Sequence, residues 1–339
     1  MNRNYAVIFV LGLLLSTGCR ESQVTEAANP QTSSAVYVCN AGASTLSVID
    51  LESGKVTNDI ALVGTWPNQL VYDEKRVYCV NSGSNNITVF NTISGKNEAP
   101  IELGSGQNPM NMVLFEDNLM YVTCLLTNQV LQIDRAGGSV IKATGCDLGT
   151  TGIASANGKV YASNTNADFS STPVTYGPGS VTVIDGVSGD SVNSIVVAAN
   201  PQAIGRSADG RIHVLCTGNY VDNWGRVLVI DPLTDQVTDT IEVGGSPGGL
   251  DVSSASGIGY LSYWGLGLLS YDTGDYQILQ GAPDFLLGKG GSGLVSDADG
   301  NVFVSVWEEN RVIQINNSGD VIGTWPVNLN PQALALRSD

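Results

Sequence analysis

The stretch 77–115, VYCVNSGSNNITVFNTISGKNEAPIELGSGQNPMNMVLF, decides how this chain is read. VYCVN, NITVF and MNMVLF are period-two runs of Val, Ile, Tyr and Phe, bounded by Gly, Asn and Ser. The short run APIEL lies between a Ser-Gly-Lys turn and a Gly/Asn/Pro corner. That is the signature of four short strands, and no helical 3.6-residue period competes with it. The same paragraph of sequence recurs along the chain. Its opening dyad is Val36-Tyr37, Val77-Tyr78, Met120-Tyr121, Val160-Tyr161, Ile212-His213, Gly259-Tyr260 and Val302-Phe303, at spacings of 40 to 52 residues. Seven units at this period predict a radial array of four-stranded blades.

The expected fold is therefore all-β, a seven-bladed β-propeller. The first repeat has no innermost strand of its own, because only a polar tether stands immediately upstream of Val36. The missing piece stands at the other end: PQALALRSD (331–339) matches PNQLVYDEK and NPMNMVLFED but has no blade after it. The C-terminal strand is expected to join the first blade and close the ring, which removes an exposed sheet edge. The period runs unbroken to the end of the 339 residues, so residues 36–339 are read as one domain. With 15 Lys+Arg against 32 Asp+Glu the formal charge is −17. A surface so negative repels phosphate backbones and anionic headgroups, and nucleic acid is not an expected partner.

Residues 1–18 read as a processing segment: Arg3, the apolar run YAVIFVLGLLL, then LSTGC ending at Cys19. The run is too short for a permanent span. The small residues leading into Cys19 resemble the lipobox of bacterial lipoproteins, although Ser16 stands where that pattern prefers Leu. The resemblance implies a lipidated Cys19, and with Arg20 rather than Asp after it, an outer-membrane lipoprotein on the periplasmic or cell-surface side. Residues 19–35 would be the lipidated cysteine and a flexible tether, attaching the domain to the membrane without crossing it.

Five cysteines remain, an odd number that argues against a complete disulfide framework. Cys39, Cys79 and Cys146 align with Val, Thr, Leu or Ile of other repeats and read as small core residues. Cys124 and Cys216 align with Asn40, Asn81 and Asn164 at a strand end. His213, the one histidine, occupies the strand position of Tyr37, Tyr78 and Tyr161. No Ser-His-Asp set, metal spacing or phosphate loop is present, and no cofactor is expected.

In a four-stranded blade the first-second and third-fourth hairpins share one rim. The second-third loops and blade-to-blade corners share the other. On this second rim the corners repeat an Asn/Pro/Gln theme, so Asn68, Asn108, Asn111, Asn330 and Gln332 are candidate ligand contacts at the channel mouth. The second-third loops add aromatics: Phe169 and Tyr176 in the long loop 164–180, Tyr220 and Trp224 in 217–226, then Tyr263, Trp264 and Trp307. Trp66 joins them from a corner. Of five tryptophans only Trp325 maps elsewhere. Aromatics and amides around a concave mouth suit a bulky, partly apolar ligand.

The opening strands VYVCN, VYCVN and MYVTC, followed by LSVID, ITVFN or LQIDR, resemble the YVTN-type β-propeller repeat over residues 36–339. Lipidated members of that layout are similar to surface lipoproteins that capture cobalamin and pass it to an outer-membrane transporter. The resemblance implies a non-enzymatic, membrane-anchored binder of a small molecule such as a corrinoid. A surface protein-interaction platform and a lactonase-like or dehydrogenase-associated enzyme are the alternatives.

Overall fold

The computed structural model describes residues 34–338 apart from 117 and 169. The processing segment, Cys19 and most of the tether lie outside the described residues. The described residues form seven blade sheets, all antiparallel; six run along the chain from an innermost to an outermost strand, and the first takes its innermost strand from the C-terminal end. Blade 3 is typical: Pro109–Phe115 innermost, then Leu119–Cys124, Gln129–Asp134 and Ser139–Gly145. Blade 2 departs at its outer edge. Lys96–Asn97 and Ile101–Glu102 both pair with Asn86–Asn91, and Pro100 between them supplies no ladder donor.

Burial follows strand position. Second strands such as Ala35–Asn40 and Leu119–Cys124 are buried almost throughout, because blades cover both of their faces. They consequently read as continuous apolar runs. Outermost strands such as Gln236–Glu242 have one covered face and alternate with solvent. Innermost strands such as Pro67–Asp73 are largely half-buried and line the channel.

The repeated aromatic of the second strand ties one blade to the next. Tyr121 donates to the carbonyl of Gly186 (2.9 Å), Tyr161 to Asp235 Oδ1 (2.8 Å) and Tyr260 to the carbonyl of Gly300 (2.7 Å). Each acceptor sits in a hairpin turn of the neighbouring blade. A buried phenol thus places its ring in the core and satisfies its hydroxyl across the seam.

Closure is as expected. Pro331–Arg337 pairs antiparallel with Ala35–Asn40, from Ala35 opposite Arg337 to Asn40 opposite Pro331. Ala333, Leu334 and Ala335 are buried by it, and Arg337 donates to the Tyr37 hydroxyl (3.3 Å). Ending the chain before Pro331 should expose the edge of Ala35–Asn40. Limited proteolysis is expected to cut blade 1 at once, while the full chain resists.

The cysteines are free in the described residues. Cys39, Cys79, Cys124 and Cys216 are buried, and Cys146 is only half-buried. Cys39 and Cys79 touch across the blade 1–2 seam, sulfur to sulfur 3.7 Å. Asp297 accepts from the backbone N–H groups of Asp299 and Asn301, which shapes the hairpin turn between the first two strands of blade 7.

His213 is fully buried, with Nδ1 3.0 Å from the Tyr271 hydroxyl. Burial depresses its pKa from 6.5 to about 4. The folded state therefore holds the neutral ring, and the unfolded chain takes up the proton first as pH falls. His213 contributes fully above pH 6.5 and progressively less down to about pH 4, a loss of about 3 kcal/mol. His213→Phe, the residue type of blade 7, should flatten the fall in urea midpoint between pH 7 and pH 4 relative to the parent chain.

Candidate functional site

The corners of the second rim are built by backbone chemistry. Trp66, Asn108, Asn200 and Asn330 each precede the corner proline and adopt left-handed φ values of 52°, 51°, 59° and 55°. Asn tolerates this conformation because its short amide bonds locally, which explains why it recurs there. Asn108 and Asn330, expected at the mouth as ligand amides, are corner residues instead. Asn330 Nδ2 donates to the Trp307 carbonyl (3.3 Å), so it holds that turn in place.

The residue after each corner proline then bulges. Pairing runs from Pro67–Asn81 to Gln69–Val80, from Pro201–Cys216 to Ala203–Leu215, and from Asn40–Pro331 to Cys39–Ala333, skipping Asn68, Gln202 and Gln332. A bulge re-aims its side chain, here to the channel mouth. Most of these amides are then consumed by the fold. Asn68 Nδ2 donates to the Pro109 carbonyl (3.1 Å), and Asn111 Nδ2 to that of Thr151 (3.2 Å). Gln202 Nε2 reaches Asn200 Oδ1 (3.1 Å) and the Tyr220 hydroxyl (3.3 Å). Gln332 differs: its side chain lines the mouth and bonds to none of the described residues.

Equivalent corner positions around the ring carry Asn68, Met110, Thr151, Gln202, Gly248, Ser292 and Gln332. At blades 6 and 7 the side chains shrink to Gly248-Gly249 and Ser292-Gly293, and a slot of about 310 Å³ opens there. It is lined by Gly248, Gly249, Ser262, Gly291 and Ser292 together with Trp264, Trp307 and Gln332. Trp264, 61% exposed, occupies the turn after Ile258–Tyr263. Trp307 opens the short 3-10 turn Trp307–Glu309 after Val302–Val306. Gly291 is required, since a Cβ there would lie 2.4 Å from the Ser305 carbonyl oxygen. Gly248 is different, because a Cβ there meets nothing and would project into open space. The Ser292 hydroxyl is buried and has no partner among the described residues. At the outer end, Lys289 and Arg311 both pair with Glu309.

The slot shares Gly248, Gly249, Ser292 and Gln332 with the channel, a cavity of about 610 Å³. Deeper in the channel, Asp251 Oδ2 accepts from the Ser296 backbone N–H (2.9 Å) and hydroxyl (2.5 Å). Burial raises the pKa of Asp251 against the lowering effect of those bonds.

The remaining expected residues divide. Tyr263 is a core residue, not a rim contact: it is 2% exposed, its hydroxyl donates to the Val243 carbonyl (2.9 Å), and its ring lies 5.0 Å from that of Phe285. A tyrosine whose hydroxyl already has an internal acceptor gains nothing from the surface. Tyr176 and Tyr220 meet edge to face at 5.8 Å on blades 4 and 5, and Trp224 beside them is 48% exposed. Trp66 is 71% exposed on the blade 1–2 corner. All four rim tryptophans share one end of the wheel, and of these Trp264 and Trp307 line a common cavity. Trp325 packs on Phe303 in the core of blade 7. Phe169 lies outside the described residues. The glycines of SPGG and GGSG were the available signal for the slot.

No protein-family model matches this chain, and no curated protein matches it. Among solved structures the fold is similar to a functionally unknown protein from Desulfotomaculum acetoxidans (TM-score 0.69, 14% identity, covering 90% of this chain and 99% of that one). It is also similar to a quinonprotein alcohol dehydrogenase-like protein from Bacteroides thetaiotaomicron (TM-score 0.67, 14% identity, 91% and 79%). A streptogramin B lyase is a third (TM-score 0.64, 11% identity, 90% and 92%). This chain is a seven-bladed β-propeller. At such identities the likeness is one of fold, which hosts many functions.

Trp66 holds a left-handed conformation that costs a bulky side chain more than asparagine, while most of its indole is in solvent. Trp66→Asn should therefore raise stability by about 1 kcal/mol, read as a higher urea midpoint at unchanged slope.

Proposed function

We propose that this chain is a non-enzymatic, ligand-binding propeller that takes its ligand at the mouth of the channel, in and over the blade 6–7 slot. One observation carries the reading. Where the corner side chains shrink to glycine and serine, two tryptophans line the gap, together with Gln332, whose amide bonds to none of the described residues. An apolar-walled cleft with a few unengaged polar groups is what orients a small ligand. The three amides bonded into the fold elsewhere on the rim give the contrast.

With the lipobox-like segment ending at Cys19, the reading extends to an outer-membrane lipoprotein that captures a bulky nutrient and hands it to a transporter. The corrinoid of the YVTN-type resemblance is the first candidate. Too large for the slot itself, it would lie across the mouth with one edge inserted. The enzymatic alternative, which the lyase and dehydrogenase-like folds bring to mind, would have to use Asp251, the carboxylate in the channel below the slot. The sole histidine is locked in the core against Tyr271.

Calorimetric titration of the full chain with cyanocobalamin and with cobinamide should give saturable heat at micromolar ligand. Trp264→Ala and Trp307→Ala should each weaken binding by about tenfold or more. No heat with either corrinoid would remove that ligand. Unchanged affinity in both variants would remove the slot.

A further inference from the structure

We propose that the unit seated in the blade 6–7 slot is an uncharged pyranose ring, so that the ligand is a neutral sugar or carries one. The inference rests on the reading of the channel mouth as a binding site but departs from its first candidate ligand, since a corrinoid carries no pyranose ring.

Size comes first. About 310 Å³ is at the lower end of ligand-pocket volumes, room for a ring or a pair of rings and not for a macrocycle. Shape comes next. Trp264 and Trp307, both large and flat, line the slot together with Gly248, Gly249 and Gly291. The C–H face of a pyranose is apolar and flat enough to pack on an indole, while its hydroxyls project from the edge.

The polar groups select further. Gln332 lines the slot and offers both a donor, its amide N–H, and an acceptor, its amide oxygen. A sugar hydroxyl also donates and accepts, so it satisfies either group. The edge of a heterocycle presents fixed donors or fixed acceptors and matches less of this pair. Free amides are not the default of these corners, since Asn68 and Gln202 are bonded within the fold.

Charge completes the argument. No charged residue lines the slot. Lys289 and Arg311 each form an ion pair with Glu309, and the chain as a whole carries −17. An anionic ring finds no free partner and a repulsive field. Glu308 is exposed in the adjoining depression, outside the slot, which makes an amino sugar the informative charged control.

The test uses the full chain, with saturation-transfer NMR and tryptophan emission as readouts. The probes are neutral glucose-, galactose-, mannose- and xylose-based oligosaccharides at millimolar concentration, glucuronate, glucosamine and adenine. A neutral sugar should receive saturation at its ring C–H protons, with glucuronate weaker by about tenfold or more and glucosamine not preferred. Gly248→Leu, which fills the slot without meeting any atom at Cβ, should abolish that signal while leaving the urea midpoint unchanged. Trp264→Ala should act likewise, Gln332→Leu should weaken binding, and Trp66→Ala should leave it as it was. Preference for adenine, for a charged sugar, or for a sugar whose binding survives Gly248→Leu overturns the proposal. Silence from every sugar while a corrinoid still binds in a Trp264-dependent manner overturns the sugar class and leaves the binding site standing. Silence from all probes and both corrinoids overturns both.

Discussion

Everything on this molecule depends on the backbone pairing of Pro331–Arg337 with Ala35–Asn40. A propeller blade has no independent core, because its second and third strands bury both faces against neighbours. Until the last strand docks, blade 1 lacks its innermost strand and presents an open ladder. Docking removes that edge and buries Ala333, Leu334 and Ala335. It also brings Gln332, near the end of the chain, beside Gly248 and Ser292. The candidate site is thus assembled by the same event that closes the ring.

Once the ring is closed, two kinds of contact hold the seams and set the rim. Buried tyrosines pass a hydroxyl to the turn of the next blade, each such bond contributing about 1 kcal/mol. At the corners, a left-handed residue, a proline and a bulge act in sequence. The first turns the chain, the second fixes it, and the third aims a side chain at the channel. That device repeats with different side chains. Where they are amides they stitch adjacent blades; where they are glycine and serine they leave a gap. The slot is a place where the repeat withholds its filling.

This explains the uneven roles of residues with similar sequence surroundings. Asn68 and Gln332 both follow a corner proline, yet one is bonded to the next blade and the other is not. Tyr263 and Trp264 are adjacent, yet the first closes its hydroxyl on Val243 and the second stands in solvent. The alternation is that of a strand end, where successive residues face opposite ways.

From the sequence alone, strand period, turn residues and the seven-fold recurrence determined the blade architecture, the ring closure and the rim to which Trp66, Trp224, Trp264 and Trp307 belong. These are local properties: a period of two, a positive φ at a turn, a missing first strand matched by a spare last one. Which rim residues share a cavity was decided only by tertiary structure. Asn108 and Asn330 spend their conformational freedom on the corner, Tyr263 turns inward, and the gap between Trp264 and Trp307 exists because Gly248 and Ser292, forty-four positions apart, place no bulk between them. A hydrogen bond to the next blade or an empty volume between two blades is a property of residues distant in the chain, so no local pattern records it.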